Sequence, residues 1–186
     1  MSGRDARIVT VRTRRLVLEP LTVEHAREAV DLLSAPSLHE FIGGEPPTLR
    51  DLVERYGRQS VGHSPDGTER RLNWMLRHRT DGFLVGTVQA TVRDDDRADI
   101  AWVVGEPHQR RGYGTEAASA MTSWLFATGV VEVAAMIHPG NRPSEALART
   151  LGLVPTDRTV DGERVWSATT ARPAAPGPTG RAGPGS

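Results

Sequence analysis

Gln109-Arg110-Arg111-Gly112-Tyr113-Gly114-Thr115-Glu116-Ala117 stands between two unlike runs. Before it lies a strand-like stretch, Ile100 to Val104; after it a helix-like stretch reaches Phe126. At such a junction the first helical amides have no intrahelical acceptor, and the helix dipole adds partial positive charge. Gly112 and Gly114 let the backbone come close to a ligand and take a positive φ. Arg110 and Arg111 add formal charge at the same place. The stretch reads as an anion cradle suited to a phosphate or pyrophosphate. No G-K-[ST] follows, so it is not a Walker A loop. The third glycine of a dinucleotide fingerprint is missing as well.

Working outward, the flanking chain alternates strands and helices. Leu16 to Pro20 is a short strand ended by proline. Thr22 caps a helix carrying Ala26, Ala29, Val30 and Leu33 at helical spacing. Phe41 to Pro47 reads as a turn-rich loop, and Thr48 with Asp51 opens a second helix that runs to about Gln59. Leu72–Arg77 and Phe83–Val92 are strands around an Asp81-Gly82 turn, with a bulge expected at Gly86. Arg93 to Arg97 is a charged turn before a strand from Ala98 to Val104. After the cradle helix, Glu132 to His138 is a strand. Asn141 caps a further helix whose core face reads as Ala146, Leu147 and Leu151, and Gly152 closes it. Leu153–Pro155 and Arg164–Ser167 are final strands around Asp161-Gly162.

Composition bounds the rest. The 186 residues give one domain of ordinary size, with 23 basic and 23 acidic residues and no cysteine. A uniformly basic nucleic-acid surface is not indicated. Disulfides, thiolate catalysis and cysteine-ligated zinc are excluded. The histidines show no metal spacing, so no metal is expected. No apolar run approaches the ~18 residues of a membrane span, and Met1 to Arg15 lacks a signal-peptide core. A cytoplasmic location is the expectation. Residues 1–13 read as a lead-in, 14–170 as the domain, and 171–186, rich in Pro, Gly and Ala, as a disordered tail.

The Q-x-x-G-x-G spacing between strand and helix resembles the pyrophosphate loop of the GNAT superfamily, the acyl-CoA-dependent N-acyltransferases. The run Asn141-Arg142-Pro143-Ser144 to Leu151-Gly152-Leu153 resembles that family's second coenzyme A motif. Thr13-Arg14-Arg15-Leu16-Val17-Leu18, with N-x-x-S and Ala148 where tyrosine is common, looks like the RimJ/RimL-like branch. The resemblance spans nearly all of residues 14–170. It implies a single-domain mixed α/β fold, with a twisted mixed sheet of about seven strands and helices on both faces. It also implies that two central strands, Ala98–Val104 and Glu132–His138, part to admit the pantetheine arm.

By the same resemblance acetyl-CoA is the expected co-substrate. Its arm would pair with Trp102, Val103 and Val104, and its pyrophosphate would sit on Gln109, Arg110, Arg111, Gly112, Tyr113, Gly114 and Thr115. Asn141 would touch the arm or simply cap its helix. Ser144 is the hydroxyl nearest the place of the missing tyrosine. Ala98-Asp99-Ile100 aligns with an A-E-I pattern, which makes Asp99 the candidate base for the amine; otherwise it is a surface carboxylate near Arg97. His138 is the second candidate. Glu40, Phe41 and Glu45 fall where the family binds its acceptor. The implied activity is N-acetyl transfer to a primary amine by direct attack in a ternary complex. A catalytically silent acyl-CoA-binding module is the alternative. Expected partners are a small-molecule amine or a peptide or protein N-terminus, with neither nucleic acid nor membrane. A homodimer is within the expectation.

Overall fold

The computed structural model describes residues 8–170; the lead-in before Ile8 and the tail 171–186 lie outside the described residues. Eight strands form one sheet in the order β1-β2-β3-β4-β5-β6-β8-β7. They are β1 (Val11–Arg12), β2 (Leu16–Pro20), β3 (Glu69–His78), β4 (Leu84–Arg93), β5 (Arg97–Val104), β6 (Glu132–Ile137), β7 (Val154–Val160) and β8 (Glu163–Thr169). The helices are α1 (Ala26–Leu32), α2 (Pro36–Ile42), α3 (Leu49–Gln59), α4 (Tyr113–Ala127) and α5 (Arg142–Thr150). β5 and β6 pair in parallel, whereas the other strand pairs are antiparallel. A parallel pair needs a crossover, and α4 supplies it.

The core lies on both faces of the sheet. On one face Leu16, Leu18, Leu72, Trp74, Leu76, Val88 and Ile100 pack with Ala117, Met121 and Leu125 of α4. On the other, Met75 and Leu84 pack with Ala26, Ala29 and Leu32 of α1 and with Leu52 and Tyr56 of α3. Near-continuous apolar runs such as Leu72–Leu76 follow from this two-sided burial. Trp74 meets Trp124 edge-on at 5.5 Å, and its indole N–H donates to the Val9 carbonyl at 2.8 Å. Among the described residues no helix is long and apolar enough to cross a membrane.

The capping box read at Thr48 is present: Asp51 N–H donates to Thr48 Oγ1 at 3.2 Å, and Thr48 N–H returns to Asp51 Oδ2 at 2.9 Å. Two expectations need correction, and a short strand adds to the expected sheet. Phe41 and Ile42 belong to a helix, α2, which Pro36 starts, rather than to a loop. Eight strands form, because two residues ahead of Leu16, Val11 and Arg12, pair back on Leu18 and Val17. In α5 it is Ala148 that is fully buried while Ala146 is exposed; Leu147 and Leu151 still turn inward, so the buried face is shifted from Ala146 towards Ala148. A two-turn helix shows too few apolar residues to fix its own rotation.

Two features of this frame position the end of β5 and the start of α4. β3 and β4 shift register at Leu76/Arg77, leaving Val85 as an extra residue beside Gly86. Val85 C=O thereby accepts Gly105 N–H at 2.9 Å, tying β4 to the exit of β5. A Cβ on Gly86 would lie 2.1 Å from the Val103 carbonyl oxygen. The second feature is Glu116 in the first turn of α4. Its Oε1 accepts from Thr13 Oγ1 at 2.6 Å and from Arg15 N–H at 2.7 Å, and its Oε2 accepts from Arg15 Nε at 2.7 Å. Burial opposes its ionisation, but these hydrogen bonds and the Arg15 charge win and hold its carboxyl below the ordinary 4.5.

Replacing Gly86 by Ala should cost ~1–3 kcal/mol, since the methyl meets backbone rather than a movable side chain. Gly57→Ala, in exposed α3 with open space around it, should instead stabilise by ~0.5–1 kcal/mol. Urea midpoints of the two variants should move in opposite directions. Glu116→Gln should destabilise by ~1–2 kcal/mol at neutral pH, as hydrogen bonds to a charged group are weakened. Because the folded carboxyl titrates below its unfolded value, its contribution is present above pH 4.5 and is lost as pH falls through the lower folded value. The variant should therefore lose less stability than the parent on acidification below that point, as read by thermal unfolding across a pH series.

Candidate active site

β5 and β6 pair for three residues only: Arg97 with Glu132, Ala98 with Val133 and Asp99 with Ala134. Beyond Asp99 they part. β6 continues against β8 through Ile137, and β5 continues against β4 through Val104. The opening holds a cavity of about 280 Å³ lined by Phe41, Gln89, Trp102, His138, Ser144 and Glu163, among others. Crevices of this kind, at the carboxyl ends of strands where the sheet changes direction, are where open α/β sheets bind ligands.

At the end of β5 the chain makes one 3₁₀ turn, Glu106–His108, and enters the glycine-rich loop. Arg110 and Gly112 both take left-handed conformations, with φ 58° and 77°. α4 starts at Tyr113, and the first α-helical bond runs from Glu116 N–H to Gly112 C=O at 3.0 Å. The amides of Tyr113, Gly114 and Thr115 therefore precede the helical ladder. Arg110, Arg111 and Gly112 are exposed, while Tyr113 and Gly114 are buried. Gly114 leaves no spare room: a Cβ there would sit 3.1 Å from Leu147 Cδ1 and 3.2 Å from Val104 Cγ2. Gln109 turns back, and its Nε2 donates to the Val104 carbonyl at 3.1 Å.

Arg15 reaches this loop from the start of β2, a role not read from the sequence. Its Nη1 donates to the Arg111 carbonyl at 3.0 Å, and its guanidinium lies 4.6 Å from the Tyr113 ring centre. The only signal was the run of arginines before Leu16, which by itself looks like a solvated lead-in. Behind the loop, Phe83 stacks on His78 at 4.9 Å and on His108 at 4.8 Å. Burial, followed by the charges of Arg111 and His78, lowers the His108 pKa below 6.5.

The α5 end closes the crevice from the other side. Asn141 Oδ1 accepts Ser144 N–H at 3.1 Å, so the cap is real. Trp102 Nε1–H donates to Ser144 Oγ at 3.3 Å, bridging β5 and α5 across the gap. That bond uses Ser144 as an acceptor and leaves its own proton free to be donated. Asn141, Trp102, Val103 and Ser144 thus share one cavity, and the loop from Gln109 to Thr115 lies beyond the β5 end of it.

The two candidate bases sit differently. Asp99 is on the same face of β5 as Ala101 and Val103. It is half-buried and ion-paired with Arg93. It lines a neighbouring cavity with Arg97, Glu132 and Arg158, which meets the first at Met136. His138 lines the main cavity, but its Nδ1 accepts Gly140 N–H at 3.1 Å. A neutral ring held that way carries its proton on Nε2 and is a donor there. Phe41 lines the cavity, 6.0 Å from the His138 ring, whereas Glu40 and Glu45 do not line it. Gln89 and Glu163 also line it, and neither carried a motif. No group of three or more metal-ligating side chains occurs among the described residues.

Comparison with known proteins agrees with this geometry. The chain is 23% identical over 143 residues to the uncharacterised N-acetyltransferase YoaA of Bacillus subtilis (strain 168), covering 75% of this chain and 80% of that protein. Its fold is similar to that of RimL, a ribosomal L7/L12 alpha-N-protein acetyltransferase in complex with coenzyme A. The TM-score is 0.74 at 12% identity, covering 87% and 98% of the two chains. It is also similar to the microcin C7 self-immunity acetyltransferase MccE in complex with acetyl-CoA and AMP. There the TM-score is 0.72 at 14% identity, covering 84% and 93%. Residues 15–154 match the acetyltransferase (GNAT) domain, and the chain belongs to that family of acyltransferases.

Proposed function

We propose that the protein is an acetyl-CoA-dependent N-acetyltransferase of the RimJ/RimL-like kind, acting on a primary amine by direct attack in a ternary complex. The parting of β5 from β6 beside a glycine-rich helix start carries this reading. It supplies an unpaired strand edge for an amide-bearing arm and free amides for a pyrophosphate. Both fit coenzyme A, and the structures of RimL and MccE similar to this one hold coenzyme A and acetyl-CoA. Acetyl-CoA would bring the activated acyl group as a thioester.

The chain's own residues bind, orient and move protons. The amides of Tyr113, Gly114 and Thr115, with Arg110 and Arg111, hold the pyrophosphate; charge-assisted contacts of this kind are worth ~1.5–3 kcal/mol each. Trp102 and Val103 offer backbone groups to the pantetheine, while Gln109 caps the Val104 carbonyl. Ser144, oriented by Trp102, would donate a hydrogen bond to the departing thiolate, with the proton that the thiol finally carries coming from the one the amine loses. An attacking amine must be neutral. His138 is a donor on its free side, so Asp99 takes the proton, through water, from the face of β5 that it shares with Ala101. Much of the rate then comes from positioning.

Release of thiol from acetyl-CoA with a panel of primary amines tests the reading. All 23 basic residues are arginine, so the chain offers no lysine of its own to be acetylated. Gly112→Asp should weaken acetyl-CoA binding at least tenfold by calorimetry, ~1.4 kcal/mol, by setting a carboxylate against the pyrophosphate. Gly112→Asn is the control, because both side chains tolerate a left-handed backbone; it should lose much less affinity. Asp99→Asn should lower kcat by ~10²–10⁴-fold with the acetyl-CoA Kd nearly unchanged, and His138→Ala should do less. If His138→Ala abolishes turnover while Asp99→Asn keeps it, the two roles are exchanged.

A further inference from the structure

We infer that Glu163 selects an acceptor carrying a second positive charge besides the reacting amine. This rests on the acyl-transfer reading above and names its substrate class. Glu163 is the only carboxylate among the residues lining the cavity between β5 and β6, and no arginine lines it. It is half-buried, and among the described residues its carboxylate has no hydrogen-bond or ion-pair partner. Its neighbour Arg164 does not neutralise it, since Arg164 Nε donates to the Thr156 carbonyl at 2.9 Å. A carboxylate facing a cavity with no fixed cation is satisfied by water or by a cationic ligand. The tight turn of Asp161 and Gly162, at φ 50° and 84°, holds Glu163 at the start of β8.

Its place in the sheet says which nitrogen it holds. β8 is separated from β5 by β6. Two strand spacings put Glu163 ~10 Å from β5, and the parting of β5 from β6 adds to that. The thioester would lie against β5, and an attacking nitrogen must come within ~3–3.5 Å of it. Across β6 from β5, Glu163 is placed to pair with a second cation on the same molecule, roughly 4–7 Å from the reacting nitrogen. Phe41, against His138 on the cavity wall, offers apolar surface to the methylenes between them. His138, a donor on its free side, does not compete for a cation. The acceptor class is therefore a diamine or another primary amine bearing a cation a few methylenes away.

The test compares 1,4-diaminobutane with 1-aminobutane. Two measurements are made: kcat/KM for thiol release from acetyl-CoA, and calorimetric binding of each amine to protein saturated with coenzyme A. The parent should favour the diamine at least tenfold in both. Glu163→Gln, which keeps the shape, should remove the preference mainly through KM, with the acetyl-CoA Kd as the check on folding. Glu163→Arg should disfavour the diamine. Equal treatment of the two amines by the parent, or a preference that survives Glu163→Gln, overturns the inference while leaving the acyl-transfer reading intact. Absence of acetyl-CoA binding would overturn both. Binding reports the preference even where turnover of these small amines is slow.

Discussion

Backbone amides and carbonyls must find partners, and β5 and β6 stop satisfying one another after Asp99. Everything else in the site depends on that interruption. Continued pairing would have sealed the sheet and left no crevice. Each strand instead keeps a partner on its far side, β4 for one and β8 for the other, so the opening does not unravel the sheet. Two contacts fix the β5 side of the gap. Val85, the bulged residue of β4, takes Gly105 N–H at the exit of β5. The Trp102–Ser144 hydrogen bond spans the gap from β5 to α5.

The anion cradle depends on the same opening, because α4 must start where β5 ends. A helix start alone binds anions weakly, and here it is held by residues distant in sequence. Arg15 grips Glu116, the Arg111 carbonyl and the Tyr113 ring, and so locks the loop to β2. Glu116 also suits the positive end of α4 by its charge. One half-buried carboxylate thus serves both the stability of the fold and the rigidity of the loop.

The chemistry across the cavity is divided by the strands. Trp102 and Val103 stand on β5, Ser144 on α5, Glu163 on β8 and Phe41 on α2. Asp99 lies where β5 and β6 are still paired, held by Arg93. On the proposed function, the sheet would bind the activated group, and the β7–β8 hairpin and α2 the acceptor. This separation lets acceptor preference change without disturbing the cradle.

Local signals in the sequence determined much of the architecture. Glycines with positive φ, capping residues such as Thr48 and Asn141, and apolar periodicity act over a few residues, so they are legible without the fold. The glycine-rich helix start, most strand positions and the cap at Asn141 belong here. The rotation of α5, the helix at Phe41 and the two-residue strand β1 were not legible, because burial and pairing with distant residues decide them. The same holds for the site. Arg15 was one of several arginines, and Glu163 one carboxylate in a turn, until the sheet order set them beside α4 and His138. Asp99 read as a candidate base or a surface carboxylate near Arg97; its pairing with Arg93, across the hairpin, came only with the fold. Sequence spacing determines which backbone can cradle an anion, since that is a property of neighbouring residues. Which side chains face one another across the cavity was decided by tertiary structure, because strands far apart in the chain become adjacent only when the sheet forms.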